Sequence, residues 1–205
     1  MRSVRKRSYV IGSILGALQA KNCGYTGITL IEFGVATGRG FLALMKIAEA
    51  IKIEMKLEVK VIGFDNLTGL PVPKDYRDHP EIWKEFQFAS GPNFKLIEEE
   101  VKKKGHDLVI GDINNTLNYF KIDEKVLAFA AIDVDYFSST LPITEYFKRE
   151  NSKSLLPATV LYFDDVLNVW TYSSFAGEGL AIRLFNDTNQ NRKIELKDRD
   201  LKLYA

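Results

Sequence analysis

One stretch near the amino terminus constrains the fold of this chain more than any other. The apolar run 28–33 leads into a glycine-rich turn, and a second apolar segment, 41–53, follows at once. This order is typical of a strand, a turn and a helix. In open parallel sheets such a turn lies at the carboxyl end of a strand, where ligands bind. The stretch therefore predicts an α/β fold with a ligand site at the turn.

The glycines of this turn limit what it can hold. Gly34, Gly38 and Gly40 let the backbone bend sharply and approach a bound molecule without a Cβ in the way. Their spacing differs from the dinucleotide G-x-G-x-x-G, and no Lys-Ser/Thr pair follows to complete a phosphate-binding loop. Glu32, two residues before Gly34, disfavours a pyrophosphate and suits a cationic or hydroxyl-bearing ligand. An ordinary strand-to-helix turn without a ligand is the alternative interpretation.

Strand-like and helix-like segments alternate along the rest of the chain. The predicted strands after the first are 59–64, 107–110, 126–134, 159–163 and two short segments within 192–204. The predicted helices are 41–53, 94–104, one that begins near Ser138, and one over 175–186. Alternation of this kind builds a parallel sheet with helices on both faces. The length of 205 residues fits one such domain.

The amino terminus combines basic residues with an apolar stretch, as a secretory leader does. Four basic residues within 2–7 precede the stretch 9–20, but Leu18 stands where leader cleavage would require a small residue. We therefore expect a helical arm over 1–27 that lies against the domain. No run reaches the roughly 18 apolar residues that a membrane span needs, so no span is predicted.

Composition narrows the classes of function. The 28 basic and 27 acidic residues leave a net charge of +1, so no overall field attracts nucleic acid. The single cysteine, Cys23, excludes an internal disulfide and a thiolate metal cluster, and it fits a reducing compartment, so a cytoplasmic location is expected. Of the two histidines, His106 is expected at the surface, and His79 is a candidate base that faces the substrate.

The longest stretch without a clear pattern is 66–93, which we call the 66–93 segment. It contains four of the six prolines and the aromatic residues Trp83, Phe86 and Phe88. Connections of this length in compact domains are often lids or binding segments. The 66–93 segment is therefore a candidate for either role.

Acidic residues follow the apolar strands one after another. Parallel strands all end on one side of their sheet, so these acids are expected at one edge. Gathering so many carboxylates costs electrostatic energy unless a cation or a hydroxyl-rich ligand offsets it. The alternative is that each acid separately caps a helix or pairs with a base. The residues in question are Glu32, Asp65, Asp112, Asp133, Asp164 and Asp165.

The acids form two sets on either side of the glycine turn. The set at the ends of the first three strands suits a nucleoside, because Asp65 lies where an acid accepts hydrogen bonds from ribose hydroxyls. The other set, Asp133, Asp164 and Asp165, offers hard oxygen ligands that suit Mg²⁺ or Ca²⁺. Asp135 follows Asp133 by two residues, so in an extended chain it points the same way, as a fourth ligand or a general base.

Five short motifs along the chain form a set. They are Glu32-Phe33-Gly34-Val35 with Gly38, the run Gly63 to Pro71, Gly111 with Thr116-Leu117, Asp133-Val134-Asp135 with Ser139-Thr140, and Asp164-Asp165. Together they resemble the macrocin-type sugar O-methyltransferases, which belong to the class I S-adenosylmethionine-dependent enzymes. The resemblance extends over most of the chain, from about residue 30 to residue 187.

The resemblance implies a Rossmann-like class I methyltransferase fold, a single α/β domain over 28–205 with a mostly parallel seven-stranded sheet. It implies S-adenosylmethionine as the methyl donor and a divalent cation, Mg²⁺ or another hard ion, at Asp133, Asp164 and Asp165. It also implies Asp135 as the base near the acceptor hydroxyl. The residues expected to contact the donor are Glu32, Gly34, Thr37, Gly38, Asp65, Asn66, Gly111, Asp112 and Asp133.

The chain also departs from the pattern of this family. Phe137 stands where relatives have a tyrosine ahead of the Ser-Thr pair, and Val166 replaces the aromatic residue after the double aspartate. The arm before Glu32 is short, and an insertion around 150–154 lengthens the gap between the two aspartate motifs. These departures bear on which acceptor the resemblance implies, and they leave the implied methyl donor unchanged.

The predicted function is transfer of a methyl group from S-adenosylmethionine to a hydroxyl of a sugar or related polyol. Glu32 would face the amino acid portion of the donor, Asp65 its ribose and Asp112 its adenine. The expected partner is a small-molecule acceptor, and a homo-oligomer is left open. A nicotinamide-dependent oxidoreductase, which the glycine spacing disfavours, and a non-catalytic nucleoside-binding relative are the alternatives.

Overall fold

Seven strands form one sheet in the computed structural model, which describes residues 2–92, 94–122, 125–149 and 153–205. The strands are β1 Gly27–Phe33, β2 Glu58–Asp65, β3 Asp107–Ile110, β4 Val126–Ile132, β5 Leu155–Phe163, β6 Leu196–Asp198 and β7 Leu203–Tyr204. Their spatial order is β3-β2-β1-β4-β5-β7-β6. The first five strands run parallel, and β7 is antiparallel to both β5 and β6. The predicted mostly parallel seven-stranded α/β sheet is confirmed.

Helices cover both faces of this sheet, and each face has its own apolar core. Helices α1, α2 and α3 pack on one face, and α4, α5 and α6 pack on the other. The helices are α1 Arg2–Asn22, α2 Arg39–Met55, α3 Phe94–Lys103, α4 Ile113–Tyr119, α5 Phe137–Arg149 and α6 Gly177–Thr188. Strand β4 lies between β1 and β5, and every one of its residues is buried, as in parallel sheets covered on both faces.

The predicted amino-terminal helix is present and packs directly on the middle of the sheet. A Cβ on Gly16 would lie 2.2 Å from the carbonyl oxygen of Ala128, and one on Gly12 would lie 2.5 Å from the ring of Phe129. These two glycines, one helical turn apart, let α1 approach β4 closely. Among the described residues, no helix is both long enough and apolar enough to cross a membrane.

The structure differs from the predicted elements in three places. Strand β5 begins at Leu155, ahead of the predicted start at 159, because Pro157 and an irregular register with β4 hide the pattern. Helix α4 was not predicted, since its polar sequence has little helical periodicity, and Asp112 caps it by accepting a hydrogen bond from the Asn114 amide. Strand β4 ends at Ile132, before the predicted 134. The predicted polar link 150–154 lies mostly outside the described residues.

Candidate active site

The residues that follow the parallel strands lie side by side at one edge of the sheet. Backbone hydrogen bonds continue across this edge beyond the strands themselves. The amides of Gly34, Gly111, Asp133 and Asp164 each donate to a carbonyl near the end of the neighbouring strand, at 2.9–3.1 Å. The predicted convergence of the strand-end acids on one edge is therefore confirmed.

Two glycines shape the turn after β1. Gly34 has φ 91°, and a Cβ there would lie 1.9 Å from the carbonyl oxygen of Asp133. Gly38 has φ 77°, and its Cβ would lie 2.2 Å from the side chain of Ile97. Both combine a left-handed backbone with a close neighbour, so a side chain at either position is strained. The turn therefore brings β4 and α3 within contact of the chain that leads into α2.

Asp65 braces the glycine turn through its carboxylate. Its Oδ2 accepts a hydrogen bond from the Ala36 amide at 2.7 Å, and its Oδ1 accepts one from the Leu67 amide at 2.6 Å. The half-buried carboxylate thus connects the end of β2 to the turn after β1. Each oxygen still has a second lone pair with which to accept a further donor.

Glu32 is buried beneath the start of α2. Its Oε1 accepts a hydrogen bond from the hydroxyl of Tyr9 at 2.6 Å, and a Cβ on Gly40 would lie 2.1 Å from the same oxygen. A carboxylate at the amino-terminal end of a helix is favoured by the helix dipole. Tyr9 was not identified from the sequence, because an apolar position on a helix carries no sign of its partner across the fold.

Other predicted donor-binding residues use their side chains locally. The Asn66 side chain accepts hydrogen bonds from the Thr68 and Gly69 amides and donates to the Gly69 carbonyl at 2.8 Å. Asp112 is exposed and caps α4. Thr37 is exposed in the glycine turn, and Gly111, with φ 140°, turns the chain after β3. These four residues are at the same edge as Asp65.

Three aspartates come together beyond the ends of β4 and β5. Asp133, Asp164 and Asp165 each offer a carboxylate oxygen within 4.8 Å of the other two. The Tyr162 hydroxyl donates to Asp164, and the Lys202 ammonium group donates to the Asp164 carbonyl. Asp165 is buried, and its Oδ2 receives no hydrogen bond from the part of the chain that the structure describes. We call these three residues the aspartate cluster.

Asp135 lies against this cluster, although its backbone is not as predicted. Its φ of 58° is left-handed, so the extended-chain argument that aligned it with Asp133 is wrong. The chain turns here, and the Tyr136 amide donates to the Val134 carbonyl at 2.6 Å. Burial, and then the neighbouring carboxylates of Asp165 and Asp133, raise the pKa of Asp135 well above its ordinary value.

Glu178, at the start of α6, holds the chain that carries the cluster. Its Oε2 accepts hydrogen bonds from the amides of Asp165 at 2.8 Å and Val166 at 3.2 Å. Burial raises the pKa of Glu178 well above its ordinary value, and the nearby Asp165 carboxylate adds to the effect. Its Oε1 is buried and receives no hydrogen bond within the described ranges.

The 66–93 segment crosses this edge and reaches the helices that follow the aspartates. Buried Asp78 accepts hydrogen bonds from the Ser138 amide at 2.8 Å and the Ser138 hydroxyl at 2.9 Å. The guanidinium of Arg77 lies 4.7 Å from the centre of the Phe137 ring. His79 is buried against Gly177, where a Cβ would lie 3.1 Å from its Nε2. The segment thereby contacts the starts of both α5 and α6.

A cavity of about 320 Å³ lies between this segment and the helices of the second face. Its walls come from the 66–93 segment, the start of α4 and the first turns of α5. They include Lys74, Asp78, Asn114, Phe137, Leu141 and Glu145. The cavity is of the size that binds small molecules, and its walls combine apolar and charged side chains.

Comparisons with known proteins agree on the fold. No protein-family model and no curated protein sequence matches the chain. Among solved structures, it is similar to the calicheamicin methyltransferase CalS11, with a TM-score of 0.69, 20% identity, and coverage of 95% of this chain and 76% of that one. It is also similar to the O-methyltransferase NovP, with a TM-score of 0.70, 15% identity, and coverage of 98% and 78%. The chain has the class I methyltransferase fold.

At these identities the similarity establishes the fold and not the reaction. The Rossmann-like, single-domain prediction is confirmed by both structures and by the strand order. The narrower resemblance to macrocin-type enzymes stays a prediction, as do the roles of the individual site residues.

Proposed function

We propose that the protein is an S-adenosylmethionine-dependent O-methyltransferase, assisted by a divalent cation, whose acceptor is a hydroxyl of a sugar or related polyol. The observation that carries this proposal is the aspartate cluster, which lies on the same sheet edge as the glycine turn of a methyltransferase fold. Two separate groups of polar residues at one edge suit a reaction with a donor on one side and an acceptor on the other.

The donor half of the site is formed by the turn after β1 and by the ends of β2 and β3. S-adenosylmethionine is a cationic methyl donor, so the acids at this edge favour its sulfonium centre. Gly34 and Gly38 give the turn its left-handed bends and let it lie against Asp133 and Ile97, which fixes the shape of the turn that the donor would contact. Asp65 holds this turn in shape and retains acceptor capacity for ribose hydroxyls.

Further residues complete the proposed donor half. Asn66, Gly111 and Asp112 form the turns at its outer rim, and Thr37 adds a hydroxyl from the glycine turn. Asp133, in the next strand-end position, would serve both halves of the site. Glu32 lies beneath the first turn of α2 and would face the amino acid portion of the donor.

The aspartate cluster fits a hard divalent cation such as Mg²⁺. Three carboxylate oxygens within 4.8 Å form an all-oxygen ligand set, and the buried Oδ2 of Asp165 receives no hydrogen bond within the described residues. A cation bound here would lower the pKa of an acceptor hydroxyl and orient a neighbouring oxygen. Asp133, Asp164 and Asp165 would hold it.

Two acidic side chains beside the cluster then have distinct roles. Asp135, which is buried beside Asp165, would take the proton of the acceptor hydroxyl. Glu178 fixes the Asp165–Val166 backbone, so the cluster keeps its geometry. Positioning of donor and acceptor in line supplies most of the remaining acceleration, since methyl transfer needs no covalent enzyme intermediate.

The experiment that tests this proposal is a methyl-transfer assay with a panel of sugars and glycosides, with and without Mg²⁺. We expect Asp164→Asn to abolish the Mg²⁺-dependent transfer and to leave S-adenosylmethionine binding within about twofold, because Asp164 belongs only to the cation half. Asp107→Asn, in an exposed ion pair with Lys60, is the matched control and should keep full activity. Loss of donor binding in Asp164→Asn would contradict the assignment of the two halves.

A further inference from the structure

The turn that joins β6 to β7, residues 199–202, lies beside the end of β5. Strand β7 runs antiparallel to β5, and Leu203 pairs with Tyr162, so the residue before β7 is level with the last residue of β5. That residue is Lys202, whose carbonyl accepts a hydrogen bond from the Phe163 amide at 3.4 Å. The closing strands therefore bring a basic side chain to the edge of the sheet at which the aspartate cluster lies.

The ammonium group of Lys202 lies at the backbone of the cluster. It donates a hydrogen bond to the carbonyl of Asp164, and its positive charge also acts on the carboxylate of Asp165. Burial raises the pKa of Asp165, the Asp164 carboxylate raises it further, and the charge of Lys202 opposes both effects. Lys202 is thus close enough to change the electrostatic energy of the cluster.

The turn itself holds Lys202 in this position. The Lys202 amide donates to the Arg199 carbonyl at 3.3 Å, and the Leu201 amide donates to Oδ1 of Asp198 at 2.9 Å. Leu201 and Leu203, on either side of Lys202, are buried in the apolar core. The start of the lysine side chain is therefore fixed, so less conformational freedom is lost when its ammonium group stays at Asp164.

We propose that Lys202 is a built-in counter-ion of the aspartate cluster, which offsets part of the repulsion among the carboxylates and thereby sets how tightly the cluster binds a divalent cation. The inference rests on the proposed function, in which the cluster holds that cation. A lysine ammonium group is a compact point charge. Two positive charges beside the same carboxylates repel each other, so each weakens the binding of the other. Lys202 consequently lowers the affinity for the cation and stabilises the cation-free protein.

A purely structural role for Lys202 is the competing explanation, because the same hydrogen bond joins the β6–β7 turn to the end of β5. The two roles predict opposite effects on cation binding. Loss of a structural contact would loosen the backbone of Asp164 and weaken the binding, as for other outer groups that orient metal ligands. Loss of a competing positive charge would strengthen it.

Calorimetric titration with Mg²⁺ distinguishes these two roles. Lys202→Gln removes the charge and keeps an N–H donor for the Asp164 carbonyl, and Lys202→Arg keeps the charge. We expect Lys202→Gln to bind Mg²⁺ about five- to tenfold more tightly than the natural chain, and Lys202→Arg to stay within about twofold of it. Lys202→Met, a second variant without the charge, should also bind Mg²⁺ more tightly.

A matched control removes a lysine charge far from the cluster. Lys52, near the end of α2, forms an exposed ion pair with Glu58, the first residue of β2, at the opposite edge of the sheet. Lys52→Gln should leave the Mg²⁺ affinity unchanged, because the charge of an exposed side chain at that distance is screened.

The charge of the ion supplies a second measurement. A Coulomb energy is proportional to the charge of the ion, so removal of Lys202 should favour a trivalent ion more than a divalent one. The ratio of affinities between Lys202→Gln and the natural chain should therefore be larger for Tb³⁺ than for Mg²⁺. A ratio for Tb³⁺ that is equal to or smaller than the ratio for Mg²⁺ would contradict the electrostatic role.

Thermal unfolding gives a measurement on the cation-free protein. In EDTA, Lys202→Gln should unfold at a lower temperature than the natural chain, because the carboxylates have lost their counter-ion. Saturating Mg²⁺ should raise the unfolding temperature of Lys202→Gln by more than that of the natural chain, since tighter binding stabilises the folded state more. An equal rise in both proteins would contradict the proposal.

The outcomes separate this inference from the proposed function. Mg²⁺ binding in Lys202→Gln and Lys202→Met that is equal to or weaker than in the natural chain overturns the inference alone. Tighter Mg²⁺ binding in these variants, in a protein that binds no S-adenosylmethionine, supports the inference and contradicts the methyltransferase proposal. A natural chain and variants that bind no Mg²⁺ overturn the inference together with the cation half of the proposed function.

Discussion

The hydroxyl of Tyr9 donates a hydrogen bond to Oε1 of Glu32 at 2.6 Å, so the amino-terminal helix reaches the acid that precedes the glycine turn. The Tyr9 ring also packs edge-on against Tyr162, with ring centres 5.5 Å apart, and Tyr162 donates to Asp164. Tyr9 therefore contacts Glu32 of the donor half directly, and it contacts Tyr162, which donates to Asp164 of the cation half. Through Tyr9, helix α1 helps to hold both halves of the site in position.

Tyr9→Phe removes the hydroxyl and leaves the ring. We expect the free energy of unfolding to fall by about 1–3 kcal/mol, because a buried carboxylate oxygen loses a donor. S-adenosylmethionine affinity should weaken severalfold, since Glu32 belongs to the proposed donor half and lies beneath the first turn of α2. Denaturant unfolding and calorimetry measure the two effects. Tyr119→Phe, on an exposed ring, is the control, and unchanged stability in Tyr9→Phe would contradict the account.

Gly34→Ala tests the turn after β1. An alanine there would be strained by φ 91° and would place its Cβ 1.9 Å from the Asp133 carbonyl oxygen. We expect a loss of about 1–3 kcal/mol or more in stability and a loss of donor binding. Gly91→Ala is the matched control, because its added Cβ has no atom of the described residues within 4 Å apart from its chain neighbours. Donor binding by Gly34→Ala equal to that of the control would refute the role of the turn.

Glu178 is a positioning residue for the aspartate cluster. Glu178→Ala removes the acceptor of the Asp165 and Val166 amides, whereas Glu178→Gln keeps a side-chain oxygen in its place. We expect Mg²⁺ affinity to fall about tenfold or more in the alanine variant, as for other outer groups that orient metal ligands, and to be largely kept in the glutamine variant. Direct Mg²⁺ titration of the two variants measures this difference in affinity. Equal affinity in both variants would show that the contact does not orient Asp165.

The lowered pKa of His106 leads to a prediction of how the free energy of unfolding changes with pH. It is half-buried, and its Nδ1 accepts a hydrogen bond from the Val61 amide at 3.3 Å. Burial, and then the positive charges of Lys60 and Lys104, lower the pKa of His106 in the folded protein. The unfolded chain therefore binds the proton more readily, and stability falls as the pH drops below the unfolded value of about 6.5. The free energy of unfolding, measured from pH 8 to pH 5, should fall less in His106→Gln than in the natural chain.

Much of the fold and part of the site can be predicted from the sequence, because both depend on local patterns. Apolar runs that end in Asp65, Asp133 and Asp164 define parallel strands, and parallel strands place their ends on one edge. The sharp turn after β1 is also a local pattern, because it is predicted from its glycines. Gly34 and Gly38 both have the left-handed backbone that glycine adopts readily.

The contacts that the sequence does not reveal join residues far apart in the chain. Tyr9 and Glu32 meet only because Gly12 and Gly16 let α1 approach β4. Asp78 meets Ser138 only once the 66–93 segment folds back over α5. Asp135 reaches the cluster through a left-handed turn, which no alternation pattern predicts for an aspartate.

The central claim is that one sheet edge holds a methyl donor and a hard cation in separate halves. Calorimetric titration with S-adenosylmethionine and with Mg²⁺ on the natural chain, Gly34→Ala and Asp164→Asn tests it most directly. We predict that the natural chain binds both, that Gly34→Ala loses the donor, and that Asp164→Asn loses Mg²⁺ and keeps the donor. A natural chain that binds no S-adenosylmethionine, or an Asp164→Asn variant that binds Mg²⁺ as tightly as the natural chain, would contradict the account.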